Sequence, residues 1–327
     1  MKSNIKSIGV FTSGGDAPGM NAAIRAVVRT AVYNGIKVYG IMRGYEGFID
    51  GEIFEMQSRS VSNIIHRGGT ILKTARSKRF MTEEGMVAAN ESIRKFGIDA
   101  IVALGGDGTF RGALEFNNHY DVPFIGLPCT IDNDLYGTDN TIGYDTAINT
   151  AMEAIDKIRD TADSHNRLFF VEVMGRDAGF IAMRSGIATG AEAILIPESP
   201  LSIDQLIAKL ERGWQRKKSS GIVVVAEGEE EGGAFEVARK VKAKFNQYDT
   251  RVSVIGHMQR GGNPTCQDRV LASRLGLSAV EALLEGKKNL MVGVMHHSVT
   301  FTPFTKATKH NLEISPFLMK LATVLSI

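Results

Sequence analysis

The chain has 327 residues, of which 43% are hydrophobic and 23% charged, and it contains 35 glycines. This composition is typical of a globular protein that is long enough for two domains. Because 38 basic residues are balanced by 36 acidic ones, the net charge is only +2, and no basic field predicts a nucleic-acid partner. The apolar runs are too short to cross a bilayer and no signal peptide is recognisable, so we expect a cytoplasmic protein without a membrane partner.

Short apolar runs alternate with helical patterns along most of the chain. The run "IGVFTS" (8–13) precedes a Gly-rich turn, after which Met20, Ala23, Ile24, Val27 and Ala31 recur with helical spacing. Further strand-like runs lie at 37–42, 99–106, 122–128, 167–175, 192–197, 221–228, 251–258 and 290–297. Near-continuous apolar strands between amphipathic helices predict sheets that are buried on both faces. The expected fold class is therefore α/β, with two doubly wound α/β domains and mainly parallel sheets.

The two cysteines and the one acidic run carry little chemistry of their own. Cys129 and Cys266 belong to no C-x-x-C pair, which argues against a disulfide framework or a zinc site. The only charge block is "EGEEEGG" (227–233), and nothing else resembles a low-complexity segment. Function is therefore sought in the loops that follow the predicted strands.

Two Gly-rich turns lead from a predicted strand into a predicted helix. They are "FTSGGDAPGMN" (11–21) and "ALGGDGTFRGA" (103–113). Backbone N–H groups and the helix dipole make such a turn suitable for phosphate, although neither turn matches a named nucleotide-binding fingerprint. Gly105, Gly106 and Gly108 would let the backbone approach a polyphosphate, and Asp107 is a candidate ligand for Mg²⁺. A tight packing turn with Asp107 as helix N-cap is the structural alternative.

An acidic stretch, "PCTIDND" (128–134), follows the apolar run "VPFIGL". Asp132 and Asp134 would lie at the mouth of one crevice, where like charges need a metal ion, an arginine or a shared proton nearby. Asx-turn or capping roles are the alternative explanation.

Positive side chains flank several predicted strands. These are Arg76 and Arg79, Arg167 and Arg176, and Arg251, His257 and Arg260. Each alone is explained by a solvated surface charge or a structural histidine. Three separated groups of this kind would suit more than one phosphate.

Five motifs in this order and spacing resemble the family of bacterial ATP-dependent 6-phosphofructokinases, the phosphofructokinase A family. They are "TSGGDAPGMNAAIR", "GGDGT", "TIDND", "EVMGRDAG" and "GHMQRGGNP". The likeness extends from residue 8 to about 293 and fades beyond it. It implies an allosteric, glycolytic kinase that transfers the γ-phosphoryl group of ATP to the 1-hydroxyl of fructose 6-phosphate, giving fructose 1,6-bisphosphate and ADP. It also implies a homotetramer, with the active site in a cleft between an ATP-binding domain (1–143 plus about 258–305) and a sugar-phosphate domain (144–257 plus about 306–327).

The resemblance assigns roles to individual residues. Asp132 would be the catalytic base, with Thr130 and Arg176 facing the transferring phosphoryl group. Mg²⁺ would be held by Asp107, with Asp134 acting through water. The implied ATP positions are Gly15, Tyr45, Arg76, Ser77, Gly106, Asp107, Gly108 and Thr109. The implied sugar-phosphate positions are Thr130, Ile131, Asp132, Arg167, Met174, Gly175, Arg176, Glu227, Arg251, His257, Met258, Gln259 and Arg260, of which Arg167 and Arg251 would come from a neighbouring subunit.

An effector site for ADP or phosphoenolpyruvate is also implied. Its positions are Arg25, Arg29, Arg159, Gly190, Glu192, Arg216 and Lys218. The match is incomplete because Ser58 and Ser219 stand where some members carry arginine and lysine. For Arg25 and Arg29, spaced i, i+4 on the first helix, a solvated helix face is the alternative.

Two positions bear on the phosphoryl donor. Cys129 stands where ATP users have glycine and pyrophosphate users have lysine. Gly108 stands where pyrophosphate users tend to have aspartate, and glycine leaves room for the nucleotide. A buried thiol costs little electrostatically, so Gly108 favours ATP. A pyrophosphate-dependent phosphotransferase and a non-catalytic nucleotide-sensing relative are the alternatives.

Overall fold

A computed structural model describes residues 5–309 and 314–326. They form two compact units: one from residues within 1–131, 135–146 and 260–310, the other from residues within 132–134, 147–259 and 311–327. The nucleotide and sugar-phosphate labels that we gave to 1–143 with 258–305 and to 144–257 with 306–327 stay a prediction.

The strands of the described residues alternate with helices, as the apolar runs predicted. They are β1 (Ser7–Thr12), β2 (Lys37–Ile41), β3 (Ile53–Met56), β4 (Ala100–Gly105), β5 (Phe124–Pro128), β6 (Arg167–Val173), β7 (Ala193–Leu195), β8 (Gly221–Ala226), β9 (Asp249–Val254), β10 (Leu290–Met295) and β11 (Ser298–Pro303).

The α-helices cover the sheets. They are α1 (Met20–Tyr33), α2 (Tyr45–Asp50), α3 (Glu83–Phe96), α4 (Asp107–His119), α5 (Tyr144–His165), α6 (Phe180–Ala188), α7 (Ile203–Gln215), α8 (Gly233–Lys244), α9 (Cys266–Leu284) and α10 (Pro316–Leu325). Among the described residues, no helix combines the length and the apolar character needed to span a bilayer.

The first unit contains a seven-stranded sheet in the order β11-β10-β5-β4-β1-β2-β3. Its five inner strands are parallel, while β3 and β11 pair antiparallel at the two edges. The α/β prediction with mainly parallel sheets is confirmed. The predicted face of α1 is buried, since Met20, Ile24 and Val27 are fully enclosed. Its contact with α9 is close, because a Cβ on Gly276 would lie 2.6 Å from the Cβ of Ala26.

The second unit contains a four-stranded parallel sheet in the order β7-β8-β6-β9. Its core joins Phe170 and Val223 of the sheet to Leu206 of α7 and Val237 of α8. Every residue of β8 is buried, as a strand covered on both faces requires.

In each sheet, the strands that precede the predicted functional loops are neighbours. In the first unit β5, β4 and β1 are neighbours, and in the second β8, β6 and β9 are neighbours. Because neighbouring parallel strands end at the same edge, the loops that follow them collect there, which is where α/β proteins bind ligands.

Candidate active site

Three loops of the first unit meet at the carboxyl edge of β1, β4 and β5. The backbone N–H of Ser13 donates to the carbonyl oxygen of Leu104 at 2.9 Å, and that of Cys129 donates to Gly105 at 2.9 Å. The loops after these strands carry the predicted residues Gly15, Asp107 and Thr130. The structure therefore brings these three loops together.

Two helices begin at this edge without a side-chain cap. The N-cap residues of α1 and α4 are Gly19 and Gly106, and neither has a side chain that accepts from the first turn. By contrast, α3 and α9 are capped by the hydroxyl groups of Thr82 and Thr265. The first N–H groups of a helix need acceptors, and a phosphate supplies them with the favourable helix dipole.

Glycines at this edge differ in what they do. A Cβ on Gly105 would lie 2.2 Å from Oγ1 of Thr109 and 2.7 Å from the carbonyl oxygen of Ser13, so this position requires glycine for packing. A Cβ on Gly108 would meet nothing within 4 Å. Gly108 is therefore exposed at the start of α4 with open space in front of it.

The side chain of Arg260 packs against the first Gly-rich loop. Its Nη1 is 2.6 Å from where a Cβ on Gly15 would stand, and the same nitrogen donates to the carbonyl oxygen of Asp16 at 3.2 Å. A side chain at position 15 would displace the guanidinium. The structure thus joins a predicted sugar-phosphate residue to a predicted nucleotide loop.

The segment that carries Arg76 is fixed to the same loop. Thr74 Oγ1 donates to the carbonyl oxygen of Gly14 at 2.8 Å, and Thr12 Oγ1 donates to that of Lys73 at 2.7 Å. Arg76 follows two residues later and is exposed. Ser77 accepts a hydrogen bond from the N–H of Phe80 at 3.0 Å.

Asp107 occupies the first turn of α4 rather than the N-cap position. Arg111, one turn along, donates to its carboxylate through Nε at 3.0 Å and pairs through Nη2 at 2.7 Å. The backbone N–H of Lys309 approaches the same carboxylate at 3.3 Å. The residues that the structure describes contain no cluster of three or more metal-ligating side chains. A lone carboxylate beside a phosphate loop fits Mg²⁺, which binds through one or two carboxylates plus substrate phosphates.

Tyr45 and Cys129 are enclosed in the first unit. The Tyr45 ring stacks on Phe80 at 4.0 Å between centroids, and its O–H donates to the carbonyl oxygen of Thr109 at 2.6 Å. Burial raises the pKa of this phenol and also that of the Cys129 thiol, so both are neutral at pH 7. Tyr45 supports the turn that carries Thr109, and its contact with ATP stays a prediction.

In the second unit, Asp132 lies next to Arg176. The side chain of Asp132 is only 3% exposed, and Nε of Arg176 lies 3.6 Å from its Oδ2. Arg176 and Asn133 both adopt left-handed backbone conformations, each with φ of 53°. Non-glycine residues seldom adopt this conformation, and such strain occurs preferentially at functional sites.

The loops after β6, β8 and β9 are joined around Arg176. Its backbone N–H donates to Glu227 Oε2 at 3.2 Å. The N–H of Met174 donates to Gln259 Oε1 at 2.9 Å. His257 and Met258 are exposed in the short 3₁₀ helix Gly256–Arg260. The structure therefore places Glu227, Arg176 and His257 after the neighbouring strands β8, β6 and β9, and their contact with a sugar phosphate stays a prediction.

Arg167 and Arg251 lie at the opposite end of the same sheet. Arg167 is the first residue of β6, whereas Arg176 follows the end of that strand. A seven-residue strand separates the two ends by about 20 Å. Both arginines pair with Asp249, Arg167 through Nε at 2.9 Å, and this pairing lowers the pKa of that carboxyl group. Within one chain they do not join Arg176.

The effector positions of the second unit surround a cavity of about 960 Å³. Glu192, which pairs with Lys218, and Arg216 line it. Nearby, Arg159 donates to the carbonyl oxygens of Thr189 at 2.6 Å and Gly190 at 3.2 Å. The two remaining positions belong to α1 of the first unit, where burial and the neighbouring guanidinium of Arg29 lower the pKa of Arg25.

Sequence reasoning missed two basic residues of this cavity. Lys209 and Arg212 line it together with Arg216, and their spacing of i, i+3 and i+7 places all three on one helical face. Burial lowers the pKa of Lys209, and its Nζ donates to the hydroxyl of Ser326 at 2.5 Å. The helical spacing could have revealed these residues.

The fold and these loops together define an α/β protein whose strand-end loops are built to bind phosphate groups. The family profile described as "PFK: Phosphofructokinase" matches residues 7–283, and the chain belongs to the phosphofructokinase family.

The chain is similar over nearly its whole length to proteins from several bacteria. It is 57% identical over 323 residues to ATP-dependent 6-phosphofructokinase 2 of Bacteroides thetaiotaomicron, with 99% of each chain covered. It is 55% identical over 323 residues to ATP-dependent 6-phosphofructokinase 1 of Thermus thermophilus, with 99% of this chain and 100% of that protein covered. A solved structure of phosphofructokinase from Saccharomyces cerevisiae superposes with a TM-score of 0.89 at 35% identity, covering 98% of this chain. The chain spans about half of that yeast chain, 48% of its length.

Proposed function

We propose that the protein is an ATP-dependent 6-phosphofructokinase. It transfers the γ-phosphoryl group of ATP to the 1-hydroxyl of fructose 6-phosphate and yields fructose 1,6-bisphosphate and ADP. Relatives that carry this name are 57% and 55% identical to it with nearly complete coverage. The observation that carries the proposal is the buried Asp132 carboxylate, whose Oδ2 lies 3.6 Å from Nε of Arg176.

Asp132 acts as the base in this proposal. A carboxylate beside the 1-hydroxyl orients it and takes its proton as the oxygen attacks phosphorus. Arg176, beside Asp132, stabilises the charge that spreads over the transferring phosphoryl oxygens, with Thr130 contributing a hydroxyl. The left-handed backbone of Arg176 supports this role, because it fixes the direction of the side chain.

The nucleotide phosphates bind at the uncapped starts of α1 and α4, near Gly15, Gly106 and Gly108. Arg76, Ser77 and Thr109 complete this side of the site. Asp107 would hold Mg²⁺, with Asp134 acting through water, and the metal would supply positive charge to the phosphate oxygens. For this to happen Arg111 must release the carboxylate. Because the Arg111 side chain is 62% exposed, water can solvate its guanidinium after it leaves the carboxylate.

Fructose 6-phosphate is bound by eight residues besides Asp132 and Arg176. They are Ile131, Met174, Gly175, Glu227, His257, Met258, Gln259 and Arg260. Arg167 and Arg251 reach the 6-phosphate from a neighbouring subunit, because within their own chain they lie at the far end of the sheet from Arg176. The working form is then a homotetramer whose active sites are completed between subunits.

The cavity beside Glu192 binds the phosphates of ADP or phosphoenolpyruvate as effectors. Lys209, Arg212, Arg216 and Lys218 supply positive charge to it. Arg25, Arg29, Arg159 and Gly190 belong to the same proposed site. The enzyme works in the cytoplasm, as expected of a glycolytic kinase.

Two features favour ATP over pyrophosphate as the donor. Gly108 faces open space at the start of α4, so the nucleotide meets no side chain there. Cys129 is buried and its thiol neutral, so it supplies no positive charge for a free pyrophosphate.

The test is an initial-rate assay of the purified chain with fructose 6-phosphate, ATP and Mg²⁺. We expect fructose 1,6-bisphosphate and ADP to form in equal amounts. Binding of nucleotide without product would instead support a non-catalytic, nucleotide-sensing protein.

A further inference from the structure

Glu229 is a buried carboxyl group in the loop after β8 that no predicted role uses. The residue is 5% exposed. Both of its carboxylate oxygens are buried, and neither meets a donor in normal hydrogen-bond geometry. Unpartnered buried polar atoms are uncommon in native proteins, so this one calls for a physical reason.

The surroundings of Glu229 oppose a negative charge. Burial is the largest cause that raises the pKa of its carboxyl group, and the carboxylates of Glu230, Glu231 and Glu198 raise it further, while the backbone N–H of Glu231 acts in the opposite direction. Lys240 pairs with Glu231 at 2.7 Å. Glu198 accepts from the N–H of Gly179 at 2.8 Å.

The backbone on both sides of Glu229 forms tight turns. Its N–H donates to the carbonyl oxygen of Ala226 at 3.1 Å, and its carbonyl oxygen accepts from Gly232 at 3.1 Å. A carboxyl group that leaves the interior must disturb these turns.

The loop that contains Glu229 also contacts Arg176, which follows β6. Glu227, two residues earlier, accepts the backbone N–H of Arg176. A Cβ on Gly228 would lie 2.0 Å from the carbonyl oxygen of Arg176, so the loop lies directly against that backbone. Glu229 therefore belongs to the loop that contacts the backbone of Arg176 through Glu227 and Gly228.

We propose that Glu229, in its neutral form, is a positioning residue that anchors the loop carrying Glu227 against Arg176, and that its ionisation releases the loop and weakens binding of the sugar phosphate. The second part rests on the proposed function, in which Glu227 and Arg176 contact fructose 6-phosphate.

The direction of the pH dependence follows from the raised pKa. Below the ordinary glutamate pKa of about 4.3, Glu229 is neutral whether the loop is anchored or released. As pH rises, the Glu229 carboxyl group ionises first in the released loop, where its pKa is ordinary. The anchored loop therefore loses stability relative to the released loop, until the pH passes the raised pKa of the anchored state. Affinity for fructose 6-phosphate should accordingly fall with rising pH.

The test compares wild type with Glu229→Gln, which keeps the shape and removes the charge. The KM for fructose 6-phosphate is measured at steps from about pH 5, just above the ordinary glutamate pKa of about 4.3, to about pH 9. We expect the ratio of the wild-type KM to that of the variant to rise with pH, by at most about tenfold per unit, while the kcat ratio changes by less than about twofold. Ionisation of the substrate cancels, because both proteins are compared at each pH. Glu91→Gln, at an exposed position of α3, should give the wild-type profile.

A second measurement separates this proposal from the proposed function. Amide hydrogen exchange of residues 226–234, without substrate, should become faster in wild type than in Glu229→Gln as pH rises. If both the KM ratio and the exchange ratio are flat, the anchoring role is wrong. If exchange responds but neither Glu227→Ala nor pH changes the KM, Glu229 anchors the loop and the sugar-phosphate role of Glu227 is wrong. Should the glutamine variant not fold, Glu229→Met tests the same neutral state.

Discussion

Asparagine in place of Asp132 is expected to lower kcat by about 10²–10⁴-fold. At 1.36 kcal/mol per factor of ten, this is a loss of about 2.7–5.4 kcal/mol of transition-state stabilisation. Asparagine has the same shape as aspartate, so the fold and the position of the sugar should be retained. The KM for fructose 6-phosphate is expected to stay within about threefold of wild type.

The assay measures initial rates at saturating ATP and Mg²⁺ over a range of fructose 6-phosphate concentrations. Asp121→Asn is the matched control, because that carboxylate is 81% exposed at the surface, and its kcat should be within about twofold of wild type. Thermal melts of both variants check that each is folded. Unchanged turnover in Asp132→Asn would remove this residue from the base role, and a loss confined to KM would make it a binding residue.

Three further substitutions test other parts of the account. Arg260→Ala should raise the KM for fructose 6-phosphate by about tenfold or more and the KM for ATP by less, since a charge-assisted phosphate contact is lost. If steady-state kinetics show an effect on the KM for ATP alone, Arg260 does not bind the sugar phosphate. Gly108→Asp should fold normally, because the position faces open space, but its carboxylate should repel the phosphates and raise the KM for ATP by about tenfold or more. An unchanged KM for ATP in the same assay would contradict the argument that Gly108 favours ATP. Lys209→Met should weaken the response to ADP or phosphoenolpyruvate several-fold in activity titrations and leave kcat without effector unchanged; an unaltered response would exclude Lys209 from effector binding.

The sequence predicted the parallel strands and their helices because burial on both faces leaves continuous apolar runs. The edge strands Ile53–Met56 and Ser298–Pro303 were missed, since their exposed and half-buried positions break that pattern. Both pair antiparallel with a neighbour that was predicted. Edge strands depend on this pairing rather than on their own composition, and pairing cannot be read from one segment alone.

The candidate site was predictable where motifs follow strands, because neighbouring parallel strands end at one edge. Its internal contacts were not. The packing of Arg260 on Gly15 joins loops that are about 245 residues apart in sequence, and only the folded chain brings them together. The pairing of Asp107 with Arg111 was readable from i, i+4 spacing but was overlooked.

Glu229 shows a different limit of sequence reasoning. The acidic run "EGEEEGG" is typical of a solvated segment, and Glu230 within it is indeed exposed. The tight turns at Ala226 and Gly232 direct the neighbouring carboxyl group inward instead. Which glutamate of such a run is buried depends on the turn geometry, and composition does not reveal that geometry.

The central claim is that ATP donates the phosphoryl group. The most direct measurement follows fructose 1,6-bisphosphate formation from fructose 6-phosphate and Mg²⁺, with ATP and pyrophosphate supplied in parallel reactions. Turnover with ATP, and a kcat/KM for pyrophosphate lower by about 10² or more, is the predicted result. Turnover with pyrophosphate and little with ATP would contradict the claim, and it would make Cys129 rather than Gly108 the residue that reports the donor.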